Sequence, residues 1–214
     1  MRGVTLAKQI RSVRREMAAR PAGLARHVER VMVEALDLAR RWDADPERVE
    51  LAVWGHDLFR AHRPADQLKL AREVGLALTE DDIATPVMVH GPVAALVLRE
   101  RFGVTDDDVL AAVREHTSGA VEMPLIAKIM LVADKVERRK RKRAPVMRAV
   151  RELARRDLDL ALLCWADWKW VDEKHHGWTT YPAHWLARQR WVAEHHAGIG
   201  LPGRMEGEAF ESEV

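Results

Sequence analysis

Six ionisable side chains fall within apolar segments of the sequence, and all six are of types that bind metal ions. His27 lies four residues before Val31 on one apolar helical stripe, and His56 lies three residues after Val53 on another. Such i, i+3, i+4 spacing places a residue on the buried face of a helix. The six residues are His27, His56, Asp57, His90, His116 and Asp134. They indicate that polar groups are brought inward from five separate helical segments.

A buried metal site explains these residues better than tolerated core polarity does. A single histidine on a buried face is more often a hydrogen-bonded core residue than a ligand. A buried aspartate differs, because an unpaired carboxylate in apolar surroundings costs several kcal/mol and normally needs a cation or several donors. Four imidazoles and two carboxylates match the ligands of a transition-metal site and leave room for two divalent ions. Since adjacent helical residues diverge by about 100°, His56 and Asp57 cannot both point straight at one ion, and a carboxylate that bridges two ions would resolve this geometry.

The elements that position these residues must be helices. The sequence has few β-branched clusters, no Asn-Gly or Asp-Gly turn and no useful period-2 alternation, so strand signals are nearly absent. The segment "DPERVELAVWGHDLFRA" opens with Asp45 as a helix N-cap and Pro46 at the first helical position. We therefore predict an all-α fold, a compact multi-helix bundle.

Further helix boundaries follow from caps, glycines and prolines. We expect a helix to begin at Thr85 and Pro86, a new start at Pro92 that ends at Gly103, and a helix capped by Thr105 that stops at Gly119. The segment "PLIAKIMLVADKVERRKRKR" is predicted as one helix that runs into a series of bases, and the long segment after it is predicted to break near Asp157. The Trp-rich C-terminal segments favour helix packing over a base-stacking surface.

Composition limits the class of protein. Of 214 residues, 48% are hydrophobic and 32% are charged, with a formal net charge of +2, which suits a helical globular protein and excludes a polycation. Cys164 is the sole cysteine, so an intrachain disulfide is excluded and a reducing compartment fits. Neither a signal-peptide core nor an apolar run near the ~18 residues of a spanning helix is present. We expect a soluble cytoplasmic protein without a membrane partner.

The order His, His-Asp, His, His, Asp resembles that of the HD superfamily of metal-dependent phosphohydrolases. The sequences "HGPVAA" around His90, "REHTSG" around His116 and "LVADKVE" around Asp134 are most similar to its bacterial YqeK-like branch, the symmetrical diadenosine tetraphosphate hydrolases. The similarity covers roughly residues 24–193. It implies an HD phosphohydrolase domain at residues 23–196, between a basic helical extension at 1–22 and an acidic flexible tail at 197–214.

The resemblance also implies a cofactor, a ligand set and an activity. Members are all-helical, carry a di-iron-type centre and split diadenosine tetraphosphate into two ADP. By resemblance, His27, His56, Asp57 and Asp134 hold one metal ion, and Asp57 bridges to a second held by His90 and His116. The residues do not decide between iron and manganese, nor between a monomer and a homodimer.

Three features depart from the family pattern near the expected substrate edge. Arg60 stands where the family usually has a lysine near the phosphates, the run "RRKRKR" at 138–143 replaces a Pro-Gly segment, and "AVE" at 120–122 lacks a basic residue. The basic run either lies in solvent at a helix end or captures a polyphosphate chain. We expect a metal-bound hydroxide to attack a substrate phosphorus while Arg60 neutralises charge on the phosphate oxygens, which gives catalytic roles to Asp57 and Arg60.

Two other functions stay open at this point. One is an HD phosphohydrolase for another nucleotide, such as an alarmone, a deoxynucleotide or a cyclic dinucleotide. The other is a non-catalytic regulatory module that binds metal and nucleotide. All three readings share a nucleotide partner, and none requires specific nucleic-acid binding, because the basic run has no interleaved aromatic residues.

Overall fold

The computed structural model describes residues 5–198, and these residues form an all-helical bundle with no strand among them. The helices are α1 (Leu6–Ala18), α2 (Ala22–Arg41), α3 (Pro46–Gly55), α4 (Pro64–Glu73), α5 (Glu80–Ala84), α6 (His90–Phe102), α7 (Asp107–Glu115), α8 (Leu125–Val136), α9 (Arg138–Arg143), α10 (Val146–Ala154), α11 (Leu158–His175) and α12 (Pro182–Gly198). A 3-10 turn, Pro86–Val89, precedes α6. The predicted all-α class is confirmed, whereas residues 1–4 of the predicted extension and 199–214 of the predicted tail lie outside the described residues.

Two helices, α3 and α8, form the centre of the bundle. Both are buried on nearly every side, from Val49 to Gly55 in α3 and from Ile126 to Val136 in α8, which is typical of a helix surrounded by others. Helix α3 packs against α1, α2, α6, α7 and α8, while α8 packs against α2, α7, α10 and α11. Helix α3 therefore contacts each of the other helices that carry or adjoin a candidate residue.

Local capping fixes where the central helices begin. Asp45 caps α3 by accepting hydrogen bonds from the backbone N–H groups of Glu47 and Arg48, with Pro46 at the first position, as predicted. Helix α7 begins differently from the prediction. Its cap is Asp106, not Thr105, because the Asp106 carboxylate also holds the Arg48 guanidinium at 2.6 Å. A charged cap that also forms a tertiary ion pair stabilises the helix N-terminus more than a neutral hydroxyl cap does.

Other predicted boundaries shift by a turn or more. The Thr85–Pro86 start is a 3-10 turn, and α6 continues through Pro92 without a restart, because proline is tolerated in the first turn of a helix. Gly103 ends α6 in the left-handed conformation, as predicted. The predicted single helix through 143 is wrong, since Glu137 is extended and separates α8 from α9.

The C-terminal helices α10 and α11 pack on α8 and on each other, and α12 packs on α11. Asp157 caps α11, which confirms the predicted break. Trp165 and Trp191 are buried with ring centroids 6.5 Å apart, so these two indoles serve helix packing. Between residues 5 and 198, no helix combines the length and hydropathy that a bilayer-spanning segment needs.

Close contact between α6 and α7 depends on Gly91. A Cβ atom at this position would lie 2.9 Å from the carbonyl oxygens of Val113 and Arg114 and 3.2 Å from Cε1 of His116. Neither backbone oxygen can move without shifting α7. Glycine therefore allows His90, next to it in sequence, to approach His116.

We predict that Gly91→Ala lowers the free energy of unfolding by about 1–3 kcal/mol, the usual cost of forcing an extra carbon into a packed core. Gly23→Ala is the matched control, because Gly23 is likewise the second residue of its helix and a Cβ there meets nothing within 4 Å. Urea denaturation of both variants checks this. Equal stability of the two variants would contradict the packing argument.

Candidate metal centre

All six predicted residues converge at one place in the bundle core. His27 lies in the second turn of α2, His56 and Asp57 directly follow α3, and His90 begins α6; His116 directly follows α7, and Asp134 lies near the end of α8. All are buried except His27, whose side chain is 15% exposed. The cluster therefore opens toward solvent on the α2 side.

Three of the imidazoles are oriented by the same local device. Nδ1 of each ring hydrogen-bonds to the backbone carbonyl three residues earlier: His56 to Val53 at 2.8 Å, His116 to Val113 at 2.8 Å, and His90 to Val87. Because a carbonyl oxygen only accepts, each Nδ1 must carry the proton. Each Nε2 therefore presents a lone pair toward the cluster, the state required of a metal ligand.

Asp57 lies between two pairs of imidazoles. Its Oδ2 is 3.6 Å from Nε2 of both His27 and His56. Its Oδ1 is 3.2 Å from Nε2 of His90 and 3.5 Å from Nε2 of His116. One carboxylate thus turns one oxygen to each pair, which is the arrangement that a bridging ligand requires.

Asp134 completes the His27 side of the cluster. Its Oδ1 lies 3.1 Å from Nε2 of His27. Two ammonium groups also contact this carboxylate, Lys140 at Oδ1 (2.5 Å) and Lys135 at Oδ2 (2.8 Å). Lys135 additionally donates to the carbonyl of His116 at 3.0 Å.

The electrostatics keep the imidazoles of His56 and His116 neutral and favour ionised carboxylates. Protonation of the imidazoles around Asp57, that of His56 foremost, lowers the pKa of this carboxyl well below its usual range despite its burial. Lys135 and Lys140 likewise overcome the burial of Asp134 and lower its pKa. Burial lowers the pKa of His56 to about 3 and also lowers the pKa of His116. With His56 and His116 neutral, the cluster offers imidazole lone pairs and carboxylate oxygens to a cation.

These donors fit divalent metal ions. Nε2 of His90 and Nε2 of His116 are 3.0 Å apart, and two lone pairs at that distance repel each other unless a cation lies beside both. Nε2 of His56 is buried without a hydrogen-bond partner, which is costly unless a ligand binds it. Two triads have donor atoms within 4.8 Å of one another, His27–His56–Asp57 and Asp57–His90–His116, and they share Asp57.

The residues next to the cluster include a turn, a glycine and two lysines. Arg60 is exposed in the turn after α3. Gly55 packs against the Leu98 side chain, which lies 2.7 Å from where a Cβ of residue 55 would be, so no other backbone or phosphate approaches on that side. The sequence analysis includes Lys140 only as part of the basic run and misses Lys135, whose signal is a lysine directly after Asp134 within an apolar helix.

Comparisons with known proteins agree with this geometry. A model of the HD domain matches residues 24–139. The chain is 38% identical over 139 residues to the symmetrical bis(5'-nucleosyl)-tetraphosphatase of Bacillus subtilis, covering 64% of this chain and 72% of the relative. It is 35% identical to the enzyme of that name from Halalkalibacterium halodurans with the same coverage.

A structural comparison extends over more of the chain. A crystal structure described as a predicted HD superfamily hydrolase involved in NAD metabolism, from Clostridium acetobutylicum, superposes with a TM-score of 0.79 at 24% identity. The match covers 90% of this chain and 99% of that one. The two proteins therefore share a fold.

We predict that the protein binds two divalent ions and that each variant loses a defined number of them. Asp57→Asn should lose both, because both triads share this carboxylate, whereas His27→Ala should lose one. Metal analysis of the purified variants measures the stoichiometry, and circular dichroism verifies that the helices remain. Asp66→Asn, which alters an exposed carboxylate, is the control. Two ions retained by Asp57→Asn would refute the bridging arrangement.

Proposed function

The chain belongs to the HD domain family, and we propose that it is a metal-dependent phosphohydrolase that cleaves diadenosine tetraphosphate symmetrically into two ADP. The observation that carries the proposal is Asp57 between two imidazole pairs. Such a carboxylate suits a two-metal site for phosphoryl displacement. The names of the relatives from Bacillus subtilis and Halalkalibacterium halodurans support the substrate.

The proposed ligand set follows the two triads. His27, His56, Asp57 and Asp134 hold one ion, and Asp57, His90 and His116 hold the other. We propose iron for both ions, because the family resemblance implies a di-iron-type centre and imidazole ligands suit iron. When bound, two such ions lower the pKa of water and neutralise charge on phosphoryl oxygens.

The protein's own side chains supply orientation and further positive charge. The Nδ1 hydrogen bonds to the carbonyls of Val53, Val87 and Val113 fix the orientation of three imidazole rings. These rings therefore need little reorientation when metal ions bind. Arg60 follows Asp57 by three residues in the same turn, and its backbone N–H donates to the Asp57 carbonyl at 3.1 Å. We propose that its exposed guanidinium binds phosphate oxygens in bidentate geometry. The reaction then consumes one water and breaks one phosphoanhydride bond.

We predict that ADP is the sole nucleotide product from diadenosine tetraphosphate and that a chelator abolishes the reaction until Fe²⁺ or Mn²⁺ is restored. Chromatography of products from a panel that also contains an alarmone, deoxynucleoside triphosphates and a cyclic dinucleotide measures this. ATP plus AMP from diadenosine tetraphosphate, or faster turnover of another nucleotide, would contradict the proposed substrate. Full metal content without any turnover would indicate a regulatory module instead.

We also predict that Arg60→Ala raises KM about tenfold, the value of one charged hydrogen bond to substrate, and that Arg60→Lys recovers part of it. The control is Arg63→Ala, because Arg63 is exposed and paired with Asp66 at 2.7 Å. Steady-state kinetics at saturating metal separate KM from kcat. Identical KM values for Arg60→Ala and Arg63→Ala would remove Arg60 from the substrate site.

A further inference from the structure

The basic run folds back over the candidate metal centre instead of extending α8 into solvent. Glu137 has an extended conformation, with φ −58° and ψ 153°, and its side chain caps the next helix by accepting from the backbone N–H of Arg139. The six basic residues 138–143 form α9 after this break. The break brings a cationic helix next to Asp134.

Two ion pairs to α2 fix the orientation of α9. Arg30 donates to the buried carboxylate of Glu137 at 2.7 Å, and Arg141 donates to the buried carboxylate of Glu34 at 2.5 Å. Arg151 of α10 holds the other oxygen of Glu34 at 2.6 Å. With these anchors on one side of α9, the Lys140 side chain is left to reach Asp134.

The two lysines that contact Asp134 differ in how firmly they are held. Lys135 is 13% exposed, donates to the His116 carbonyl as well as to Asp134, and lies 5.3 Å from the centroid of the Trp165 ring. Lys140 contacts the other Asp134 oxygen at 2.5 Å, and its side chain is 37% exposed. Lys135 is therefore fixed in place, whereas Lys140 has one partner and a path to solvent.

Lys140 contacts the same Asp134 oxygen that lies 3.1 Å from Nε2 of His27. An ammonium ion and a divalent cation beside the same oxygen repel each other and compete for its negative charge. A metal ion that binds His27 and Asp134 therefore weakens the Lys140 contact and favours its release. The displaced ammonium remains on a flexible four-carbon chain beside the centre, in a segment rich in bases.

We propose that Lys140 has two positions: it neutralises Asp134 in the metal-free protein, and it binds the phosphate oxygens of the nucleotide once metal has taken its place. The second position rests on the proposed function, whereas the first does not. Lys140 is thus a substrate-binding residue whose release is coupled to metal loading.

The test compares Lys140→Gln with Lys142→Gln, which removes the same charge from an exposed position two residues away on α9. In the first arm, Mn²⁺ is titrated calorimetrically into each metal-free variant, and melting temperatures are measured with and without Mn²⁺. Lys140→Gln should bind Mn²⁺ several-fold more tightly than Lys142→Gln, because no internal cation has to leave. Its metal-free form should melt at a lower temperature, because Asp134 has lost a counter-charge, while the loaded forms should melt alike.

In the second arm, the KM for diadenosine tetraphosphate is measured at saturating Mn²⁺. Lys140→Gln should raise KM about tenfold relative to Lys142→Gln with little change in kcat. A change in only one arm overturns the proposal, because it assigns both positions to one side chain, and equal behaviour of the two variants overturns it as well. If the wild-type protein cleaves no nucleotide, the proposed function is wrong, and so is the proposed contact of Lys140 with substrate phosphate. The Mn²⁺ titration would still decide whether Lys140 neutralises Asp134 in the metal-free protein.

Discussion

The buried charge of Asp57 is the constraint on which the rest of the bundle depends. A carboxylate 6% exposed among apolar helices is stable only where donors or cations surround it on several sides. The four imidazoles that would hold such cations beside it come from α2, the end of α3, the start of α6 and the end of α7, so no single helix can provide them. The packing of α3 against α2, α6 and α7 is therefore also the assembly of the site. A change that separates any pair of these helices, as a side chain at Gly91 would, alters the surroundings of Asp57 as well as the core.

Three of the four histidines lie where helices begin or end, and this explains how these three are oriented by backbone carbonyls. A carbonyl in a helix interior accepts from the residue four positions later, but at a helix end that partner is missing. The Val53 and Val113 carbonyls lie at such ends, and the imidazole three residues on fills the vacancy. The hydrogen bond that ends the helix therefore also fixes the tautomer of the ligand. The same carbonyl oxygen and imidazole Nδ1 therefore end the helix and orient the ring for metal binding.

The sequence predicted the six clustered residues because their signal is local. Four of them lie at helical spacing from apolar neighbours, so the helical period places them on a buried face; His90 ends an apolar run and Asp57 directly follows His56. Features set by distant partners were not predictable in this way. The cap of α7 is Asp106 instead of Thr105 because of Arg48, 58 residues earlier, and α8 stops at Glu137 because Arg30 of α2 pairs with that carboxylate. A run of bases has excellent helix propensity, so the residues on either side of the break favour one continuous helix. The roles of the six residues as ligands, and that of Arg60, remain predictions.

The break at Glu137 changes where the positive charges of the basic run lie relative to the metal centre. Along a continuous α8, the six bases would extend away from the core, and their charge would act on the centre only at long range through solvent, where salt screens it. After the break, α9 is tied to α2 by the Glu137 and Glu34 pairs, and one base reaches a carboxylate of the centre. The same α2 carries His27, which lies next to that carboxylate. The His27 side of the cluster is therefore in contact with a helix that carries positive charge, whereas the His90 and His116 side is formed by α6 and α7. The two halves of the centre differ in their electrostatic surroundings, and only the half next to α9 has a lysine of that helix on one of its carboxylates.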